Sequence, residues 1–148
     1  AYIDAGITYN PSTNILTTIA SSALYADIAE RYEADAEYEA GTVLVIGGDK
    51  EVTVTSQFAD TRVAGIVSKK PAYMMNSAAG TDETHPYIAL KGRVPCKVQG
   101  YVKRGDLIVT SSTPGYGIAA SNVFGGAIIG KALGTQSEGF GIIEVLVV

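Results

Sequence analysis

The sequence predicts an all-β fold, a β-sandwich or barrel-like module of short strands, with an extended N-terminal arm and at most one short helix. Two observations carry this. The 148 residues include 17 glycines, and glycine supports the positive φ that tight turns demand. Short apolar runs punctuated by glycine recur between turn signals, above all in the last third, where KGRVPCKVQGYVKRGDLIVTSSTPGYGIAAS, IIGKAL and GIIEVLVV follow one another. Short strands at that spacing point to a sandwich or barrel.

Composition bounds the function. Apolar residues make up 47% and charged residues 18% of the chain, which places it among globular rather than disordered sequences. A net charge of −4 argues against a nucleic-acid binder, which normally carries a positive face. No run of 18 apolar residues is present, so no membrane span is expected. The start lacks a basic stretch followed by an apolar core, so no secretory signal is expected there.

Taken in order, residues 1–22 form the arm. After Asp4 they carry no charge. Asn10-Pro11-Ser12-Thr13-Asn14 is a turn, because Pro11 presets φ and the Asn and Ser side chains bond nearby backbone. Ile7 and Tyr9 precede it, and Ile15, Thr17 and Ile19 follow it, as two short strands. A lone hairpin is marginal in water, so the arm needs the body or another copy of the chain.

Residues 23–40 read as an acidic helix or linker. Ser21 or Ser22 can cap a helix starting near Ala23, and Leu24, Ile28 and Tyr32 would share a face at i, i+4 spacing. Six carboxylates fall here: Asp27, Glu30, Glu33, Asp35, Glu37 and Glu39. Hard cations want clustered oxygens, but the spacing matches no known loop, and a solvated face is the expectation.

Residues 41–148 are the β-rich globular module. Strands are expected at 42–46 and 51–55 around Gly47-Gly48-Asp49-Lys50, and at 63–67. An apolar loop follows, Pro71-Ala72-Tyr73-Met74-Met75-Asn76-Ser77. Lys91-Gly92 divides strands at 87–90 and 93–98. In the second, Val94, Cys96 and Val98 face one side, and Pro95 marks an edge or a bulge. Lys103-Arg104-Gly105-Asp106 turns into 107–110, and Thr113-Pro114-Gly115 suits a type II turn. Strands at 118–120, 127–133 and 141–147 complete the set.

Catalytic and metal chemistry find little support. His85 is the sole histidine and Cys96 the sole cysteine, too few for a four-ligand zinc site. No nucleophile elbow accompanies His85, and neither Gly47-Gly48 nor Gly125-Gly126 continues as a phosphate loop. Cys96 reads as a buried structural thiol, and Arg104-Gly105-Asp106 as a turn. No catalytic, cofactor-binding or metal-binding residue is assigned, and a non-enzymatic protein is expected. The nine tyrosines suit half-buried or interfacial positions.

ITYNPSTNILTT resembles the shaft-like repeats of bacteriophage tail-fibre proteins, especially those of cyanophages. YADIAERYEADAEYEAGTVLVIGG, VAGIVSKKPAYMMNS, IALKGRVPCKVQGYVKRGDLIVTSSTPGYG, IIGKAL and GIIEVLVV look like the C-terminal module of such fibres, so the resemblance covers nearly the whole chain. It implies a virion structural protein that assembles as a homotrimer, is made in the host cytoplasm and is carried on the virion beside other virion proteins. A second expectation is a binding module whose tyrosine and methionine loops contact a host surface glycan or protein. Capsid-decoration domains and an autoproteolytic fibre-chaperone domain are more distant likenesses, and no cleavage dyad can be placed here for the second. The intersubunit candidates are Ile7, Tyr9, Ile15, Leu16, Ile19, Leu24 and Ile28. The loop candidates for partner or host contact are Tyr73, Met74, Met75, Tyr101 and Tyr116.

Overall fold

A computed structural model describes residues 6–18 and 22–148. The architecture is β throughout, with one 3-10 turn at Gly125–Ala127. The arm is a hairpin of β1 (Thr8–Asn10) and β2 (Ile15–Thr17), paired antiparallel. Asn14 closes its turn at φ 56°, and the Asn10 carboxamide accepts the Ser12 N–H at 3.0 Å. Both are turn roles that asparagine performs readily.

The body holds β3 (Asp27–Arg31), β4 (Val43–Ile46), β5 (Val52–Thr53), β6 (Val63–Ser68), β7 (Tyr73–Met75) and β8 (Tyr87–Gln99). These are followed by β9 (Leu107–Thr110), β10 (Gly117–Ala120), β11 (Ile128–Ala132) and β12 (Phe140–Val147). The long strand β8 organises them. Its second half pairs with β12, which continues through β11 and β9 to β10, and β10 returns to β8 in parallel. That closes a small barrel. Its first half pairs with β6, which leads through β4 to β5. Val52 of β5 then bridges Ala34, just beyond β3, and β3 pairs back with β8. A second ring therefore closes beside the first, with β8 common to both.

Each ring has its own core. In the first, the alternation of β8 and β12 sends Val94, Cys96, Val98, Ile143, Val145 and Val147 inward to meet Ile108, Ile129 and Val102. Leu44, Val52, Val67 and Ile88 fill the second, with Tyr32 and Tyr38 packed against them. The all-β expectation therefore holds, in its barrel-like form.

Residues 23–40 do not form the helix that their i, i+4 pattern allows. Asp27 and Ala29 are buried while Ile28 is exposed, which is a period of two. Pairing with β8 satisfies the backbone of this segment and ties it into the body. Lys91-Gly92 does not divide two strands either. Gly92, at φ +105°, lets β8 bend and continue, because a Cβ there would lie 2.3 Å from the Ala26 carbonyl oxygen. Pro95 sits where its missing N–H costs nothing. The neighbouring N–H groups on that side, Arg93 and Lys97, donate to Ala26 and Gly41, and between these two, on the side away from β12, no described strand pairs with β8. Pro95 thus occupies a local edge, with Leu24, Tyr25 and Lys70 around the resulting groove of about 360 Å³.

Candidate functional site

The arm presents its apolar residues to solvent. Ile7, Tyr9, Ile15 and Leu16 are each more than half exposed, at 54%, 58%, 56% and 61%. Tyr9 donates its hydroxyl to the Asn14 carboxamide oxygen at 2.8 Å, so its polar tip is engaged while the ring stays open. Among the described residues no strand of the body pairs with β1 or β2. Ile19 lies outside the described residues. Leu24 and Ile28 belong to the body and are both exposed, with Ile28 opposite Lys91 on the outer side of β3.

Tyr73, Met74 and Met75 are not in a loop. They form β7, parallel to β3 in the register Ile28↔Tyr73, Ala29↔Met74, Glu30↔Met75. The reason lies in β3, whose second edge is open until this segment covers it. An apolar run beside an unpaired edge satisfies more backbone as a strand than as a loop. Tyr73 and Met74 remain exposed. Among the described residues β7 is the only strand of the body outside both rings, and its far edge pairs with nothing.

The other loop candidates lie near one end of the first barrel. Tyr101 is exposed, with the Lys103 ammonium 5.6 Å from its ring centre. Tyr116 is half-buried and meets Phe140 edge-on at 5.0 Å. Phe140 and Ile142 are not among the contact residues expected from the sequence, yet both are exposed on the outer face of β12. The signal was present in GFGIIEVLVV. Apolar residues at both parities of a strand leave one set facing outward unless both faces are covered.

The titratable groups are engaged separately. The six carboxylates of residues 23–40 do not converge. Glu30 accepts from the Tyr32 hydroxyl, Glu33 pairs with Lys50, Asp35 accepts from Tyr38, and Glu39 pairs with Lys97. Among the described residues no three His, Cys, Asp or Glu side chains gather as a metal site would require. The His85 carbonyl accepts from Arg31, and its Nδ1 lies 3.0 Å from the Thr84 hydroxyl. The Arg31 guanidinium also bonds Asp82 at 2.8 Å and stacks 4.0 Å over the Tyr87 ring, so this loop is pinned to β3 and β8. Asp106 accepts the Lys103 N–H at 2.8 Å. The Arg-Gly-Asp tripeptide is therefore a self-capped turn, and Arg104 is held to the Leu133 carbonyl.

Two buried carboxylates behave oppositely. Asp60 accepts from Arg62 at 2.7 Å and from the Thr55 hydroxyl at 2.8 Å, and these bonds hold its carboxyl well below the usual range. Asp27 has an oxygen, Oδ2, without a hydrogen-bond partner, and burial pushes its carboxyl up. No protein-family model matches the chain, and no curated protein sequence does. The arrangement offers exposed apolar surface and an open strand edge. The chemistry that these can perform is association.

Proposed function

We infer that the chain is a non-enzymatic virion structural protein, a phage tail-fibre or surface-fibre module that assembles as a homotrimer. The observation that carries this reading is the arm. It is an uncharged hairpin with Ile7, Tyr9, Ile15 and Leu16 facing solvent and no partner strand among the described residues. Two strands alone are marginal in water. Fully burying an Ile or Leu contributes about 1.5–3 kcal/mol. The three aliphatic side chains are about half covered already, so a partner would add roughly half of that for each. Closed symmetry is the common solution for identical chains. In this reading the two-ringed body is the cap or tip, the arm joins it to a shaft, and the module is made in the host cytoplasm and carried on the virion among other virion proteins.

Light scattering of the full chain tests it. A species of three times the monomer mass is expected at micromolar concentration, and deleting residues 1–22 should weaken or abolish it. A monodisperse monomer overturns the reading.

Contact with a host surface glycan or protein is the second part of the proposal. Tyr101 and Phe140, at 62% and 60% exposure near one barrel end, favour it, because exposed aromatic faces suit such surfaces. A glycan array comparing wild type with a Tyr101→Ala, Phe140→Ala variant checks it, with binding lost in the variant.

A further inference from the structure

We propose that β2 of one copy adds as a strand to the open edge of β7 in the next copy, so that the trimer is held by exchanged arms. This rests on the homotrimer reading and names its interface.

The argument starts from the edges. A free strand edge invites pairing, and proteins protect such edges with charge, proline, bulges or a covering element. Ring closure protects nearly every strand of the body. The outer side of β5 is taken by the segment around Ala34, where the Glu51 and Val52 N–H groups donate to the Glu33 carbonyl. β7 itself, unlike the Lys69-Lys70-Pro71 segment before it, carries no charge or proline, and no described strand covers its far edge. Residues 71–81 carry no charge at all, and no backbone hydrogen bond joins Tyr73, Met74 or Met75 to any described segment besides β3. Tyr73 and Met74 stand exposed beside this edge.

The arm is its counterpart. The described arm, residues 6–18, is equally uncharged, so no charged group would be buried by contact with β7. β2 and β7 are each three residues long. β2 is the more apolar strand of the hairpin, with Ile15 and Leu16 both exposed, and among the described residues no strand pairs with its outer edge. Joining the two satisfies both rows of backbone groups and covers Leu16 and Met74 together. Strand addition of this kind draws affinity from main-chain bonds and selectivity from side chains. Among the described residues neither strand of the arm pairs with β7, which leaves that edge for a neighbour.

The test uses the full chain carrying Leu16→Cys and Met74→Cys, the central residues of the two strands. Residues opposite one another in a sheet have Cα atoms about 4.5–5.5 Å apart, within reach of a disulfide. The native Cys96 is fully buried and does not compete. Mild oxidation should yield a covalent trimer on a non-reducing gel, dissolved by reductant. A cross-link confined to single chains, or none, overturns the proposal. A Met74→Lys variant provides the second reading. It should weaken trimer formation at least tenfold by sedimentation while the far-ultraviolet dichroism stays unchanged, and an unaltered sedimentation profile overturns the proposal. The wild-type mass on the same preparation separates the two ideas. A trimer without the cross-link removes only the arm's seat, whereas a wild-type monomer removes the homotrimer reading as well.

Discussion

The Asp60 backbone N–H donates to the Thr110 hydroxyl oxygen at 2.7 Å across 50 residues of sequence, and that hydroxyl donates in turn to the Gln57 carbonyl at 2.8 Å. Through this pair the loop between β5 and β6, in the second ring, is fastened to β9 in the first. The Asp60 carboxylate completes the clasp by accepting from Thr55 and Arg62.

Replacing Asp60 with alanine should therefore cost about 1–3 kcal/mol, because buried donors lose their acceptor. The pH dependence has a definite sign. The folded carboxyl lies below its ordinary value of 3.8, so its contribution is complete above that value and is lost as pH falls below it. Urea unfolding at pH 7 and at pH 3 checks this. The gap between wild type and Asp60→Ala should narrow in acid.

Asp27 reverses the sign. Its folded carboxyl lies above 3.8 because burial disfavours the charge. Its contribution is complete below 3.8 and is lost as pH rises through the folded value. Asp27→Asn removes the charge that burial disfavours while keeping a polar side chain of the same shape, so it should stabilise the chain at pH 7. Denaturation midpoints measured from pH 4 to pH 8 should fall for wild type and stay flatter for the variant.

Gly92 marks the place where β8 passes from one ring to the other. An alanine there meets the Ala26 carbonyl and must hold φ near +105°. Gly92→Ala should destabilise by about 1–3 kcal/mol from the backbone conformation alone, with the clash in addition. Gly105, also at positive φ, has nothing within 4 Å of such a Cβ, so Gly105→Ala should show the conformational cost only. Thermal unfolding of the two variants side by side separates strain from collision.

The same glycine shows where sequence stopped being sufficient. Lys91-Gly92 between two apolar runs is locally identical whether the chain turns back or bends onward. The decision belongs to Ala26 and β12, which approach from elsewhere in the sequence. Where the period of two was strong the strands were legible, and Leu107–Thr110 has the expected bounds. The Thr113-Pro114-Gly115 turn also appears as expected, with Gly115 at φ 82° and the Tyr116 N–H returning to the Thr113 carbonyl at 3.2 Å. At Leu24, Ile28 and Tyr32 a helical spacing misled, because tertiary pairing with β8 outweighed local preference. Tyr73–Met75 has the sequence of an apolar loop for the same reason, since the strand it needs, β3, carries a helical spacing. The arm's exposed Ile7, Tyr9, Ile15 and Leu16 were legible because turn chemistry and lack of charge are local properties. The outward side of β12 is not legible in the sequence, because only the closed barrel fixes which parity points inward.

Cys96 offers a direct probe of that closure. Its side chain is fully buried inside the first barrel, and burial pushes its thiol up to about 12. The thiolate is the reactive form, so native protein at pH 8 should leave a thiol reagent untouched, and reaction should follow barrel opening at the unfolding rate. Substituting a hydroxyl distinguishes packing from polarity. Sγ contacts the Lys97 carbonyl at 3.4 Å and the Gly117 backbone, and the rest of its surroundings are apolar side chains of β8, β9 and β12. Cys96→Ser should therefore cost about 1–3 kcal/mol as a hydroxyl buried among mostly apolar groups, whereas Cys96→Val should cost less than about 1.5 kcal/mol if the barrel accepts one extra methyl. Equal losses in both variants would place the limit on volume rather than on polarity, and rapid labelling of the native thiol would mean that the barrel is not closed around it.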